Sequence, residues 1–382
     1  MAVVVTAIAA ALYVAILAIK ADLAIAYKRR YAVRVRDPDL STATIVQPIL
    51  SGDPDLEAAL RGNLETVPEA RFLWLIDQGD VDADDITSRL QRDHPAHRIE
   101  RVLTTPPPAG VNPKLFKLEQ ARAAVTAGTF VVLDDDTRVT RAGLGALLAA
   151  LDTHMLATGL PCCADGGNVF SRLVSQFVNN NAALTYLPLL HFGPPPTING
   201  MAYAITPAAL TSLGGFGPLW NQLADDLAVA RRVQDASGTI AQTPVPHFVA
   251  TTVRDASHYR SLMHRWFLFA LLLVRDRPPA WRALIALLHV LPPWLLWTVL
   301  ATTVLVPGWT SAGIAIGILA VRATTLVVVQ RVITGRSRHA PVLSIAAELL
   351  QPFHLVDAAC RRTIRWRTRR YVVFANDDFR PV

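Results

Sequence analysis

Three consecutive carboxylates, Asp134-Asp135-Asp136, close the apolar run Thr129-Phe-Val-Val-Leu133. A buried-type strand ending this way aims hard oxygen ligands at the carboxyl edge of a sheet, where open α/β sheets bind their ligands. Oxygens of this kind suit Mg²⁺ or Mn²⁺ carrying a phosphorylated substrate. A solvated turn after a strand is the plainer alternative. Asp77 ends a second apolar run, Arg71-Phe-Leu-Trp-Leu-Ile76, and carboxylates at two corresponding strand ends favour a nucleotide–metal site. A further pair, Asp225-Asp226, opens the helix-like run 227–233. The helix dipole favours a carboxylate there, so one of the two could cap the helix while the other accepts a proton.

These residues need a sheet to hold them. From Thr42 onward short apolar runs alternate with helix-like stretches. Strands are expected over 44–50, 71–76, 100–104 and 130–133, with helices over 55–65, 84–92 and 115–127. Such alternation argues a parallel, doubly wound α/β sheet. Pro106-Pro-Pro108 and Pro194-Pro-Pro196 mark loops inside this domain.

The remainder of the 382 residues is strongly apolar: the chain is 52% hydrophobic, with a mean hydropathy of +0.32. Residues 1–27 are almost wholly apolar, broken by Lys20 and Asp22 and followed by Lys28-Arg29-Arg30. A signal peptide carries its charge before the apolar core, so this segment reads as an uncleaved anchor with the following domain in the cytoplasm. Two more spans are expected over 284–306 and 312–332, joined by the Val306-Pro-Gly-Trp309 turn. Arg322, within the last span, must face protein, water or a lipid headgroup, with snorkelling or a shifted span boundary as the simpler explanation. The segments 258–283 and 335–382 interleave Trp, Leu, His and Arg as interfacial helices do. The net charge of +7 gathers beside apolar runs, which fits anionic lipid better than a nucleic-acid groove; no nucleic-acid partner is expected. Three Cys, two of them adjacent, have neither metal nor disulfide spacing.

The chain resembles the ceramide glucosyltransferases and their bacterial hopanoid-associated relatives (family 21 glycosyltransferases), membrane-anchored enzymes with a GT-A nucleotide-sugar fold. The resemblance rests on Gln47-Pro-Ile-Leu-Ser-Gly-Asp-Pro54, Gly62-Asn-Leu64, Asp77, Gly110-Val-Asn-Pro-Lys114 and Asp134-Asp-Asp-Thr-Arg-Val139. It continues at Gly159-Leu-Pro161, Asn199-Gly-Met201, Ala224-Asp-Asp226, His264-Arg-Trp266 and Thr363-Ile-Arg-Trp-Arg-Thr-Arg-Arg-Tyr371.

The resemblance implies an anchor (1–27), a cytoplasmic GT-A domain (42–257), an interfacial helix with the Arg-Trp motif (258–283), two membrane helices (284–334) and an amphipathic C-terminal segment (335–382). It implies Asp226 as general base, Asp134 and Asp136 on a divalent cation, Mg or Mn, and Asp77 on the nucleotide. Lys114 would add charge near the phosphates, and Arg265 and Trp266 would close over the diphosphate or wall the acceptor pocket, with Asp135, Asp225 and His264 as further candidates. Trp266 could equally anchor its helix at the membrane interface.

The expected partners are a UDP-sugar, glucose first, and a lipid acceptor: ceramide, a hopanoid or diacylglycerol. The Ala-, Val- and Arg-rich composition fits a bacterial inner membrane. Two departures stand out. Gln47 replaces the family's usual Lys, and Leu262 stands where the motif ending in Arg-Trp usually has Gln or Arg. A processive polysaccharide synthase would need more spans, and a non-catalytic scaffold would not need the aspartates.

Overall fold

The computed structural model describes residues 2–32, 39–108, 110–164, 166–250, 252–366 and 369–381. Arg367 and Thr368, within the C-terminal tail motif, lie outside the described residues.

Continuous apolar runs become strands buried on both faces, as parallel sheets require. β1 (Ala43–Ile49) and β4 (Thr129–Leu133) are buried at every position, and β2 (Arg71–Asp77) is buried from Phe72 to Ile76. With β3 (Arg98–Thr104) they pair in parallel. Their carboxyl ends therefore share one edge, which carries Asp77 and Asp134. The crossover helices are α2 (Leu56–Thr66), α3 (Val81–Asp93) and α4 (Pro113–Arg122). A two-residue strand β5 (Thr137–Arg138), helix α5 (Arg141–Ala150) and strand β6 (Leu156–Cys163) follow. After α6 (Val169–Leu189) come β7 (Ala202–Ile205), α7 (Pro207–Ser212), α8 (Asp225–Asp235) and β8 (Ile240–Val249). The eight strands order as β3-β2-β1-β4-β7-β6-β8-β5, with β7 antiparallel to both neighbours and β5 antiparallel to β8. The sheet is thus mixed but mostly parallel.

α4 stops at Arg122, short of the expected 127. Gly128, at φ +73°, sits in the tight passage into β4: a Cβ there would lie 2.2 Å from the carbonyl oxygen of Thr42, just before β1.

The remaining helices are α1 (Ala2–Ala32), α9 (Ala256–Arg275), α10 (Pro279–Ile285), α11 (Leu291–Leu305), α12 (Trp309–Thr334), α13 (Pro341–Leu349) and α14 (Gln351–Cys360). A small antiparallel sheet ends the chain, ordered β11 (Phe379–Pro381), β10 (Arg369–Val373), β9 (Thr363–Trp366).

Two compact units interleave along the sequence. A helical unit takes 1–30, 165–193 and 253–362, and a sheet unit takes 31–164, 194–252 and 363–382. The sequence reading has one continuous domain over 42–257; α6 instead belongs with the helices, and the tail belongs with the sheet.

Among the described residues, four helical runs are long and apolar enough to cross a membrane: Ala2–Tyr31, Pro279–Leu305, Trp309–Thr334 and Pro341–Cys360. The chain leaves the sheet unit after Thr252 and rejoins it at Thr363. Three of the four candidates, Pro279–Leu305, Trp309–Thr334 and Pro341–Cys360, lie within that excursion. Pro341–Cys360 is the least apolar, with mean hydropathy 1.2 against 1.9 and 2.1. It also carries Glu348, Asp357 and the helix-interrupting Pro352. Pro279–Leu305 and Trp309–Thr334 overlap the two C-terminal spans expected from the sequence, and Pro341–Cys360 is a further candidate that the sequence reading places in its amphipathic segment.

Arg322 corrects the expectation of snorkelling. It is 2% exposed inside the helical unit, with Nε 2.7 Å from Glu348 Oε2 and Nη1 2.8 Å from Ser344 Oγ. Asn180, to which the sequence reading gives no role, donates to Ser344 Oγ and accepts from Gln330 Nε2. A buried guanidinium is tolerable only with such a set of acceptors.

Candidate active site

The Asp cluster sits where β4 ends, and each of its carboxylates has a different neighbour. Asp135 accepts from the Leu50 N–H at 2.8 Å, fixing the end of β1 beside β4. Asp136 accepts from the Thr137 hydroxyl at 3.1 Å. Burial, then the charges of Asp134, Asp135 and Asp53, push its carboxyl up to about 7. Asp134 Oδ1 lies 2.7 Å from Lys114 Nζ.

Buried Asn63 holds the turn that follows, donating to the Thr137 carbonyl at 2.8 Å and accepting from the Val139 N–H at 3.0 Å. Loss of such a buried two-way contact costs about 1–3 kcal/mol, which gives the Gly62-Asn-Leu64 motif a physical reason.

Lys114 connects the cluster to the second acidic pair. Asn112 caps α4, accepting from the Lys114 and Leu115 N–H groups, and Pro113 begins the helix where its missing N–H costs nothing. From this fixed start Lys114 Nζ reaches Asp134 Oδ1, Asp225 Oδ2 at 2.9 Å and the Gly200 carbonyl at 2.7 Å. Burial alone would lower its pKa, but Asp134 and Asp225 outweigh burial and hold the ammonium charged.

Asp226 follows in the first turn of α8, with Oδ1 accepting from the Leu227 N–H at 2.8 Å. Burial first, then the Asp225 charge, raise its carboxyl to about 7, with Lys114 pulling the other way. Asp225 and Asp226 thus divide: one is spent on Lys114 and the other is poised to exchange a proton near neutrality.

The Asn199-Gly-Met201 motif fits between these groups. A Cβ on Gly200 would stand 3.1 Å from Asp226 Cβ and 3.5 Å from Asp225 Oδ2, so any side chain there presses on the acidic pair. Asn199 Oδ1 lies 3.2 Å from His247 Nε2. Burial pushes the His247 imidazole down to about 3, so it packs as a neutral ring. Gly159, of Gly159-Leu-Pro161, leaves room for that ring, since a Cβ there would approach His247 Nδ1 to 2.9 Å.

Sequence reasoning misses three residues here. Lys117, one turn after Lys114 on the same face of α4, donates to the Ile49 carbonyl at 2.8 Å and lies 3.0 Å from Asp77 Oδ1. Its i+3 spacing from Lys114 was the available signal. Tyr203 on β7 buries its hydroxyl with no hydrogen-bond partner among the described residues, and burial raises its pKa, with Lys114 opposing and Asp225 and Asp134 adding to the rise.

Asn376, from the C-terminal tail, grips the loop before Asp225. Its Oδ1 accepts from the Ala224 N–H at 2.6 Å, its carbonyl accepts from Leu223 N–H at 2.8 Å, and its Nδ2 donates to Gln222 Oε1 at 2.8 Å. Asn112 holds the other side of this loop through the Gln222 carbonyl, at 2.9 Å. Nothing in the local sequence links Asn376 to a loop 150 residues earlier.

Gln47 is buried, its Oε1 accepting from Trp74 Nε1 at 3.0 Å. Its Nε2 is buried with no hydrogen-bond partner among the described residues. Asp77, Lys114, Asp134, Asp135, Asp136, Asp225 and Asp226 all lie in the sheet unit. His264, Arg265 and Trp266 lie on α9 of the helical unit. There His264 Nδ1 pairs with Asp357 Oδ2 at 2.9 Å, and Trp266 stacks on Phe177 with centroids 6.2 Å apart. Leu262 is buried on the same helix.

Among the described residues no three His, Cys, Asp or Glu side chains form a ready metal cage. Asp134 and Asp136 still fit a divalent cation: both are hard oxygen donors, and the Asp134 and Asp135 charges that add to burial in raising Asp136 are what a bound cation would offset. The remaining ligands would come from substrate oxygens and water.

A family model, "Glycosyl transferase family 21", matches residues 3–378. The chain belongs to this family. The mostly parallel α/β sheet and the apolar helices agree with the GT-A fold and membrane helices expected of it. Among solved structures, the mannosyltransferase PcManGT from Pyrobaculum calidifontis, in complex with GDP-Man and Mn²⁺, is similar at 16% identity and TM-score 0.49, covering 92% of this chain and 98% of that one. S. aureus TarS 1–349 in complex with UDP-GlcNAc is similar at 10% identity and TM-score 0.39, covering 87% and 96%. At these scores neither likeness bears on what the chain does. No curated protein matches it.

Proposed function

We propose that this family 21 member is an inverting, metal-dependent glycosyltransferase that moves a sugar from a UDP-sugar to the hydroxyl of a membrane lipid. UDP-glucose and ceramide are the leading pair. The observation that carries the reading is the Lys114 bridge: one ammonium within 2.9 Å of both Asp134 and Asp225 gathers the strand-end cluster and the α8 carboxylates into one site.

In this reading Asp226 takes the acceptor hydroxyl's proton, for which a carboxyl raised to about 7 is well matched. The freed oxygen attacks the anomeric carbon opposite the leaving diphosphate and inverts its configuration. Lys114 lends positive charge near the phosphates, and Asp77, steadied by Lys117, faces the nucleotide. Asp134 and Asp136 would hold Mg²⁺ or Mn²⁺, which supplies Lewis-acid neutralisation of the leaving group. Arg265 and Trp266 enter through the family resemblance alone. The apolar helices favour an acceptor that stays in the bilayer, and Lys28-Arg29-Arg30 after the first span favours a cytoplasmic site, in keeping with a bacterial inner membrane.

The test is UDP release by detergent-purified protein across UDP-glucose, UDP-galactose and UDP-N-acetylglucosamine, each with ceramide, hopanoid or diacylglycerol. Release that requires one lipid and stops with EDTA supports the reading. Donor binding with no lipid-stimulated release overturns it in favour of a non-catalytic membrane protein.

A further inference from the structure

The helical unit contains a cavity of about 40 Å³ with a mixed polar and apolar lining, and the transferase chemistry does not use it. Tyr13, Lys20, His289, Arg322 and Glu348 are its titratable lining, with Asn180, Asn181, Ser344 and Gln351 as neutral polar groups among apolar side chains. Charged groups within membrane helices are costly and mark functional sites by default. Their hydrogen bonds show which are spent. Glu348 is committed: it pairs with Arg322 Nε at 2.7 Å and accepts from the Tyr13 hydroxyl at 2.9 Å and 3.0 Å.

Lys20 has no carboxylate within ion-pair distance among the described residues. It donates to the Leu288 carbonyl at 2.8 Å and lies 3.3 Å from His289 Nδ1. Proline explains the first contact. The residue four on from Leu288 is Pro292, which has no N–H to return, and the helix loosens into a π-turn over Ala286–Val290. The Leu288 oxygen is therefore left for Lys20.

The second contact fixes a tautomer. An ammonium can only donate, so Nδ1 of His289 must accept, and the ring proton sits on Nε2. That buried Nε2 has no partner among the described residues. The wall is left with a third Lys20 N–H, the His289 Nε2–H, and one uncompensated positive charge from Lys20 and Arg322 against Glu348.

We propose that this cavity binds the anionic phosphate of a membrane phospholipid. Two unspent donors and a net positive charge call for an anionic oxygen acceptor, and an apolar surround favours one carrying acyl chains. Lys20 lies eight residues, about 12 Å of helix, inside the Lys28-Arg29-Arg30 end of α1. A phosphate drawn a short way below the surface can meet a lysine reaching toward the interface. The proposal is independent of the transferase reading.

The full-length protein in detergent would be titrated with dioleoyl phosphatidylglycerol, dioleoyl phosphatidylcholine or inorganic phosphate, and bound lipid counted by native mass spectrometry. Phosphatidylglycerol should bind at least tenfold more tightly than phosphatidylcholine. Lys20→Met and His289→Phe should each erase the difference, and Lys20→Arg should keep it. Equal binding of the two lipids overturns the proposal without recourse to any variant. A preference that survives Lys20→Met places the lipid on the surface arginines and also overturns it. So does displacement of the lipid by inorganic phosphate alone.

Discussion

The backbone N–H of Ala224 donates to the side-chain oxygen of Asn376 at 2.6 Å, tying the C-terminal tail to the residue that leads into Asp225 and Asp226. Asn376→Ala removes this acceptor and the side-chain donor to Gln222 while leaving the β9–β11 pairing in place. The loop would then relax around the base, and small displacements of a catalytic group cost up to about 100-fold in rate. Steady-state kinetics should show kcat falling at least tenfold with KM for the sugar donor nearly unchanged. Asn376→Asp, which keeps the acceptor, should recover part of the loss.

Gly200→Ala tests the close passage beside Asp226. The new methyl would lie 3.1 Å from Asp226 Cβ, so the carboxylate must shift by a few tenths of an ångström. The expected result is a tenfold or greater loss of turnover, with thermal stability reduced by no more than about 1–3 kcal/mol.

The pH dependence follows from the raised carboxyl of Asp226. A general base must be ionised to act, so kcat/KM should rise with pH through about 7 and level off above it. Lys114 lowers that carboxyl, so Lys114→Met should move the rising limb to higher pH as well as reduce the rate. A limb that does not move would contradict the coupling.

In the helical unit, Arg322→Leu leaves Glu348 buried without its cation. Breaking such a pair costs about 3–5 kcal/mol. Thermal unfolding in detergent should show a large drop for Arg322→Leu, and the double variant Arg322→Leu with Glu348→Leu should recover most of it.

How much of this was legible in the sequence depends on the range of the interactions. Strand runs ending in Asp77 and Asp134 carry their own period and chemistry, so the parallel sheet and its acidic edge could be read directly. The Lys114–Asp225 contact joins residues more than a hundred positions apart; the family resemblance named both residues as candidates but did not pair them. Asn376 could not be found, because an Asn near a chain end has no local pattern that names its partner. The burial of Arg322 was misjudged for a similar reason: snorkelling is decided by neighbours, and Glu348 lies on a different helix. α4 ran shorter than expected because the Ala-rich stretch after Arg122 is helix-compatible by itself and does not mark where the helix ends.

The most direct measurement sets turnover and donor binding side by side for Asp226→Asn. If Asp226 is the base, turnover of the UDP-sugar with its lipid acceptor falls at least about 100-fold, while UDP-sugar affinity by calorimetry stays within a factor of three. Turnover equal to wild type in this variant would contradict the assignment.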